Sequence, residues 1–219
     1  MSASDTPRSD GFFTFRRALP EDIPGLRLLL TALFESDKFG RDLSFSECEM
    51  EDYLDWFLPK ALVDCSIILY VLQFLPTSSS RTYKPKVIGC CYVSVSDSSI
   101  VPKRIQSLGF MKLHVVNALS DFQVWPNRQA AEVHRKFQRA RETRAAMRSR
   151  DDATGTSALV LLAAIQPKYR GVGLGTKMVS WAKEAISALG VDTMYHMGSP
   201  REVEFMRQCK IKSIVMSEF

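Results

Sequence analysis

Arg170-Gly171-Val172-Gly173-Leu174-Gly175 lies directly behind the apolar run Ser157–Ile165. Three glycines in five residues strip side chains from a strand-to-helix turn and let the backbone come close to a ligand. The helix that follows presents unpaired N–H groups and the positive end of its dipole, so turn and helix together make an anion site. The expected chemistry is the holding of a phosphate-bearing molecule. Spacing excludes two nucleotide loops. A dinucleotide loop, Gly-x-Gly-x-x-Gly, needs glycine at position 176, where Thr176 stands. A nucleoside triphosphate loop needs glycine, lysine and Ser/Thr in succession, and Gly175 is followed by Thr176 and only then by Lys177. What fits is Arg-x-x-Gly-x-Gly, Arg170 through Gly175, with Lys168 and Lys177 beside it as candidate cations for phosphate.

The elements that must position this turn are legible on both sides. Ala158–Ile165 is continuously apolar over a strand's length, the pattern of a central strand buried on both faces, and Gln166-Pro167 ends it. Behind the turn, Leu174, Met178, Trp181, Ala182, Ala185, Ile186 and Leu189 recur at helical spacing, and Gly190 stands where helices stop. Val191–Met197 reads as another strand, Pro200–Cys209 as a short helix and Ile211–Met216 as a last strand. Upstream, Phe12–Arg17 reads as the first strand. Pro20-Glu21-Asp22 then starts a helix whose apolar face is Leu26, Leu29, Leu30 and Leu33. After the polar break Glu35–Arg41, Glu47–Leu58 reads as a second helix, with Tyr53, Trp56 and Phe57 buried in part. Ser66–Phe74 and Lys86–Ser96 form two strands around the Ser-, Pro- and Thr-rich connection Pro76–Pro85. Residues 97–156 form an insertion before the strand that leads into the glycine turn, and no internal repeat is present.

The loop Arg170-x-x-Gly173-x-Gly175, in the order strand, loop, helix, strand, helix, strand, resembles the pyrophosphate loop of the GNAT (GCN5-related N-acetyltransferase) superfamily over most of residues 12–216. The resemblance implies an α/β fold with a central mixed, largely antiparallel sheet flanked by helices, and a helical insertion ahead of the strand that binds acetyl-CoA. It implies that the amides of Arg170, Gly171, Val172, Gly173, Leu174, Gly175 and Thr176 hold the coenzyme diphosphate. Backbone N–H groups near Ile165 would meet the pantetheine arm or the thioester oxygen. The insertion's position and the segment from Tyr195 through Ser199-Pro200 to Ile214 look like the arylalkylamine (dopamine-type) N-acetyltransferases of invertebrates. That narrower likeness implies transfer of an acetyl group to a small primary amine by direct attack on the thioester. It assigns a general base to Asp37, with Glu35 close by, and a substrate-orienting or proton-relaying role to Ser199. Ser199 before Pro200 is equally a natural helix N-cap.

The chain also departs from the pattern. The position at which many members carry a proton-donating tyrosine is Met206, with Tyr195 and Cys209 as substitutes nearby. The usual glycine-aromatic ending of the last helix is Lys210-Ile211. Room remains for about one strand in Ile211–Phe219 where two are usual, which leaves an open edge and makes a homodimer an expectation.

Composition narrows the class further. A chain of 219 residues, 46% hydrophobic, is expected to form one domain over residues 12–219, behind a polar and disordered Met1–Gly11. No apolar stretch reaches the ~18 residues of a membrane span. Five cysteines, an odd number that includes Cys90-Cys91, point to free thiols in a reducing compartment, so the expectation is a soluble, cytoplasmic protein. No cysteine or histidine spacing suggests a metal. The net charge of +5 concentrates in Arg128–Arg150, read as an amphipathic helix with a solvated basic face. Its one aromatic residue, Phe137, falls with Val133 and Ala140 on the apolar face rather than among the charges, where a single-strand nucleic-acid groove requires aromatics. Two alternatives remain open at this stage: a protein or peptide N-acetyltransferase of the same fold, and a non-catalytic module binding coenzyme A or nucleic acid.

Overall fold

The structure is a computed structural model that describes residues 11–36, 47–64, 66–77, 85–100 and 155–215. In chain order the elements are β1 (Gly11–Arg17), α1 (Ile23–Ser36), α2 (Glu47–Val63), β2 (Ile67–Pro76), β3 (Lys86–Val95), β4 (Ser157–Ile165), α3 (Leu174–Ser187), β5 (Thr193–Gly198), α4 (Pro200–Gln208) and β6 (Lys212–Val215). Gly11, expected in the disordered lead-in, instead opens β1 by pairing with Pro76. Residues 1–10, most of the Pro76–Pro85 connection and the basic segment Arg128–Arg150 lie outside the described residues.

Among the described residues six strands form one sheet in the order β1-β2-β3-β4-β5-β6. The first three pairings are antiparallel, and β4–β5 and β5–β6 are parallel. Both faces are covered, which is why β2, β3 and β4 are apolar at nearly every position rather than alternating. On one face α1 and α2 bury Leu26, Leu29, Leu54 and Leu58 against Leu69, Val71, Cys90 and Tyr92. On the other, α3 and α4 bury Met178, Ile186 and Met206 against Ile68, Leu72, Val93 and Val160.

Two boundaries differ from the sequence pattern for physical reasons. The second helix, expected to stop at Leu58, runs through Pro59 to Val63. Proline there removes one backbone hydrogen bond, but the extra turn buries Ala61 and Leu62 on the same face as Leu58. The β5 strand starts two residues later than the apolar pattern, because Asp192 is occupied elsewhere: its N–H donates to Thr156 O and its carboxylate accepts from Thr156 N–H, both at 2.9 Å.

A buried carboxylate ties the start of α1 to the sheet. Asp22, 4% exposed, accepts from Arg16 Nη1 and Nη2 at 2.7 and 2.9 Å, from Leu19 N–H at 2.8 Å and from Gln73 Nε2 at 3.0 Å. Three elements therefore converge on one side chain, and removing it strands the Gln73 amide and one face of the Arg16 guanidinium. Asp22→Ala should cost about 3 kcal/mol. Urea titration should show a lower midpoint with an unchanged slope.

Candidate functional site

The β4 and β5 strands share four rungs, Ser157 to Thr193 through Val160 to His196, and then part. β4 continues along β3 to Ile165, while Met197 and Gly198 of β5 stay paired with Ile214 and Val215 of β6. A bulge marks the point of divergence: Tyr92 faces Leu162 and Val93 faces Val160, so Leu161 is skipped in the β3–β4 ladder. An inserted residue of this kind bends a strand and ends pairing on its other side. The result is a crevice between the carboxyl-terminal parts of two parallel strands, the side of the sheet on which open α/β sheets take ligands. The parting also explains a burial pattern that continuous apolarity does not anticipate. Leu161, Leu162 and Ala163 are only half buried, because β5 no longer covers that edge.

The glycine turn sits at the far end of this crevice. After β4, a single 3-10 turn over Pro167–Tyr169 leads into Arg170, whose Nε donates to Ile165 O at 3.0 Å and pins the turn to the end of the strand. Gly171 and Gly173 have φ of +80° and +79°, the left-handed region, and a Cβ built on either would meet nothing within 4 Å. The glycines therefore satisfy backbone conformation and leave open space above the turn. The α3 ladder begins with Lys177 N–H to Gly173 O at 3.1 Å, and no side chain caps the helix. The amides ahead of that bond project along the axis, at the positive end of the dipole. Leu174 is buried and anchors the first turn in the core, whereas Gly171, Val172, Gly173 and Thr176 are exposed. Gly175 lies against α4, where a Cβ would stand 3.5 Å from the Phe205 ring. Lys168 is exposed with its Nζ 4.7 Å above the Tyr169 ring, and Lys177 is exposed on the first turn of α3.

The remaining candidates divide. Asp37 lies outside the described residues, as does the side chain of Glu35 at the end of α1. Ser199 is the N-cap of α4 in a full capping box. Its N–H and Oγ–H both donate to Glu202 Oε2 at 2.8 Å, and its Oγ accepts from Glu202 N–H at 3.4 Å. Met206 is buried in the core. Cys209 is buried with its thiol pushed up by burial, against a smaller opposing effect of Lys183. Tyr195 is buried, with Lys212 Nζ 5.6 Å above its ring.

One polar group at the crevice escapes the sequence pattern. His196 is 5% exposed, at the last rung before the strands part. Burial pushes its pKa down, partly offset by the Val160 carbonyl and by Glu202. In sequence it is one polar residue in a short apolar strand. Only the register shows that it stands where β4 and β5 separate.

No family model matches the chain, and no curated protein matches it. Solved structures do. One is a mosquito arylalkylamine N-acetyltransferase like 5b, at 14% identity and a TM-score of 0.53, covering 90% of this chain and 82% of the other. Another is an aminoglycoside N-acetyltransferase in complex with CoA, at 9% identity and a TM-score of 0.50, covering 97% and 95%. The fold is that of the GNAT acetyltransferases. Among the described residues the GNAT sheet here ends at β6, a four-residue strand with Ile214 and Val215 exposed.

The end of α4 carries a local cost. Lys210 has φ of +58°, the left-handed region that favours glycine. Its carbonyl accepts from Lys183 Nζ at 2.9 Å, a bond that uses only backbone at position 210. Lys210→Gly should relieve the left-handed strain while keeping that bond. The net gain is about 1 kcal/mol after glycine's greater freedom in the unfolded chain is subtracted, which thermal melting should register as a rise of roughly 2–4 °C.

Proposed function

We propose that the chain is an acetyl-CoA-dependent N-acetyltransferase that transfers an acetyl group to a small primary amine of the arylalkylamine kind. The observation that carries the reading is the side-chain-free, left-handed turn at the uncapped N-terminus of α3, opening onto the crevice between β4 and β5. The residues present fit the coenzyme. A diphosphate needs several convergent N–H donors and room for the ligand's oxygens, and the backbone from Arg170 to Thr176 offers both. Lys168 and Lys177 supply nearby positive charge. Gln166 N–H bonds Ile88 O at 2.8 Å on the β3 side. Strand alternation therefore directs the Ile165 N–H toward the crevice, where it can meet the pantetheine arm or the thioester oxygen.

The bound donor supplies an acyl group activated as a thioester; the chain must present a neutral amine to it. Asp37, which follows α1, takes the ammonium proton in this reading, with Glu35 close by at the end of that helix. Ser199 orients substrate or relays a proton in this reading through the Glu202 carboxylate to which its hydroxyl donates at 2.8 Å. The arylalkylamine acceptor follows the resemblance of the segment from Tyr195 through Ser199-Pro200 to Ile214 to the arylalkylamine N-acetyltransferases.

Thiol release from acetyl-CoA across arylalkylamines, polyamines and N-terminal peptides tests the reading directly. Arylalkylamines should give the highest kcat/KM, and a panel with no release anywhere overturns it. Gly173→Ala and Gly173→Asp share the backbone strain, and aspartate enters the left-handed region more readily than alanine. Gly173→Asp should nonetheless weaken CoA binding at least about tenfold beyond Gly173→Ala in calorimetry, since only aspartate sets a negative charge against the phosphates. Asp37→Asn should lower kcat by about a hundredfold with CoA affinity unchanged.

A further inference from the structure

We propose that His196 Nε2 is the proton relay of the transfer step, accepting the proton that the amine sheds on attack and delivering it to the departing thiolate. The proposal rests on the acetyltransferase reading and names a group that the sequence pattern did not supply. Its basis is geometric. His196 stands opposite Val160 at the last shared rung of β4 and β5, the apex of the crevice. Strand alternation puts it on the side of Met194, facing the α3 and α4 layer. Its Nδ1 lies 3.1 Å from Val160 O. A carbonyl only accepts, so Nδ1 carries the hydrogen, and in the neutral ring the lone pair is left on Nε2. Nε2 is fully covered and has no hydrogen-bond partner among the described residues. Buried polar atoms are nearly always paired, so a lone pair held out of water at this point is an acceptor awaiting a donor.

The surroundings suit a proton held briefly. Of the elements packed around the ring, β4 offers the Val160 carbonyl and α4 the Glu202 carboxylate. Nε2 and Glu202 Oε2 lie 2.7 and 2.6 Å from the point a Cβ at Gly198 would occupy, so glycine keeps open the space the two groups share. Ser199 holds the Glu202 carboxylate in place through two hydrogen bonds of 2.8 Å. The imidazolium is thus flanked by a carbonyl and a carboxylate, while burial keeps the resting ring neutral. Other candidate donors are less suited. Met206 has no proton to give, the Cys209 thiol is buried and raised, and strand alternation turns Tyr195 to the opposite face of β5.

The step balances. The lone pair of the neutral amine forms the N–C bond to the thioester carbon as the C=O π pair moves onto oxygen. One N–H bond then breaks, its electrons staying on nitrogen and its proton passing to Nε2. The pair on oxygen re-forms the C=O bond as the C–S bond breaks with its pair on sulfur, and the imidazolium proton moves to that sulfur. The products are an amide, a free thiol and the neutral imidazole, with no further reactant.

His196→Asn is the discriminating variant, since its Nδ2–H can keep the bond to Val160 O while the Nε2 lone pair is gone. With the arylalkylamine that turns over best, kcat should fall about a hundredfold, with KM for acetyl-CoA and calorimetric CoA affinity unchanged. In the native protein, protonation at low pH occupies Nε2, so kcat should fall on the acid side with a midpoint below the ordinary 6.5. His196→Asn should lose that limb. A folded His196→Asn with native kcat and an intact limb overturns the relay and leaves the acetyltransferase reading standing. Native protein that neither binds CoA nor releases thiol overturns both. Should the variant not fold, 15N-imidazole NMR of the native protein decides. An unprotonated Nε2 at neutral pH that titrates with the midpoint of kcat supports the relay; an Nε2–H tautomer or a mismatched midpoint overturns it.

Discussion

The structure turns on the four-rung contact between β4 and β5. Two parallel strands that stayed paired to their ends would close the sheet and leave nothing for a ligand to enter. The bulge at Leu161 bends β4 along β3, and the β6 strand and α4 keep β5 on its own course, so the strands part after Val160 and His196. The chemistry proposed for the described fold lies along that divergence. At its outer end are the glycine turn and the open amides of α3; at its apex is an imidazole without a hydrogen-bond partner on Nε2.

Two buried polar side chains show how differently the same fold treats them. Asp22 receives four hydrogen bonds from three residues and joins the beginning of α1 to β1 and β2. Removing a fully partnered group of this kind threatens the fold itself. His196 donates through Nδ1 to Val160 O and has no partner at Nε2 among the described residues, although Nε2 is as closed to water. Interiors tolerate such an omission when a partner arrives later or when the group has chemical work, and its place at the crevice apex favours that explanation over a packing accident.

How much of this was legible in the sequence follows from locality. The glycine turn, the strand before it and the helix after it are contiguous, so residue spacing alone placed them. Lys168, Arg170 and Lys177 came with them. The helical faces of α1 and α3 were equally readable, since each is a property of one segment. What spacing missed depends on neighbours far along the chain. Half of the apolar β4 run is uncovered because of where β5 goes. The α2 helix passes Pro59 because the sheet gives Ala61 and Leu62 somewhere to be buried. His196 draws its meaning from Val160, thirty-six positions away, and from Gly198 and Glu202. Asp37, by contrast, was reached through family likeness and lies outside the described residues.

That division has a physical logic. A diphosphate can be gripped by backbone amides, which every residue possesses, so its site is written as an absence of side chains and survives at very low sequence identity. Proton transfer needs one particular side chain at one depth with one tautomer, and several elements can present it. In the proposed reading the chain keeps the donor's turn while the buried Met206 offers no proton, so another group against the same crevice must supply it. An imidazole whose Nδ1–H is fixed by a strand carbonyl meets that requirement with few added parts. The carbonyl orients the ring, burial keeps it neutral at rest, and a capped carboxylate stabilises the charge while the proton is in transit.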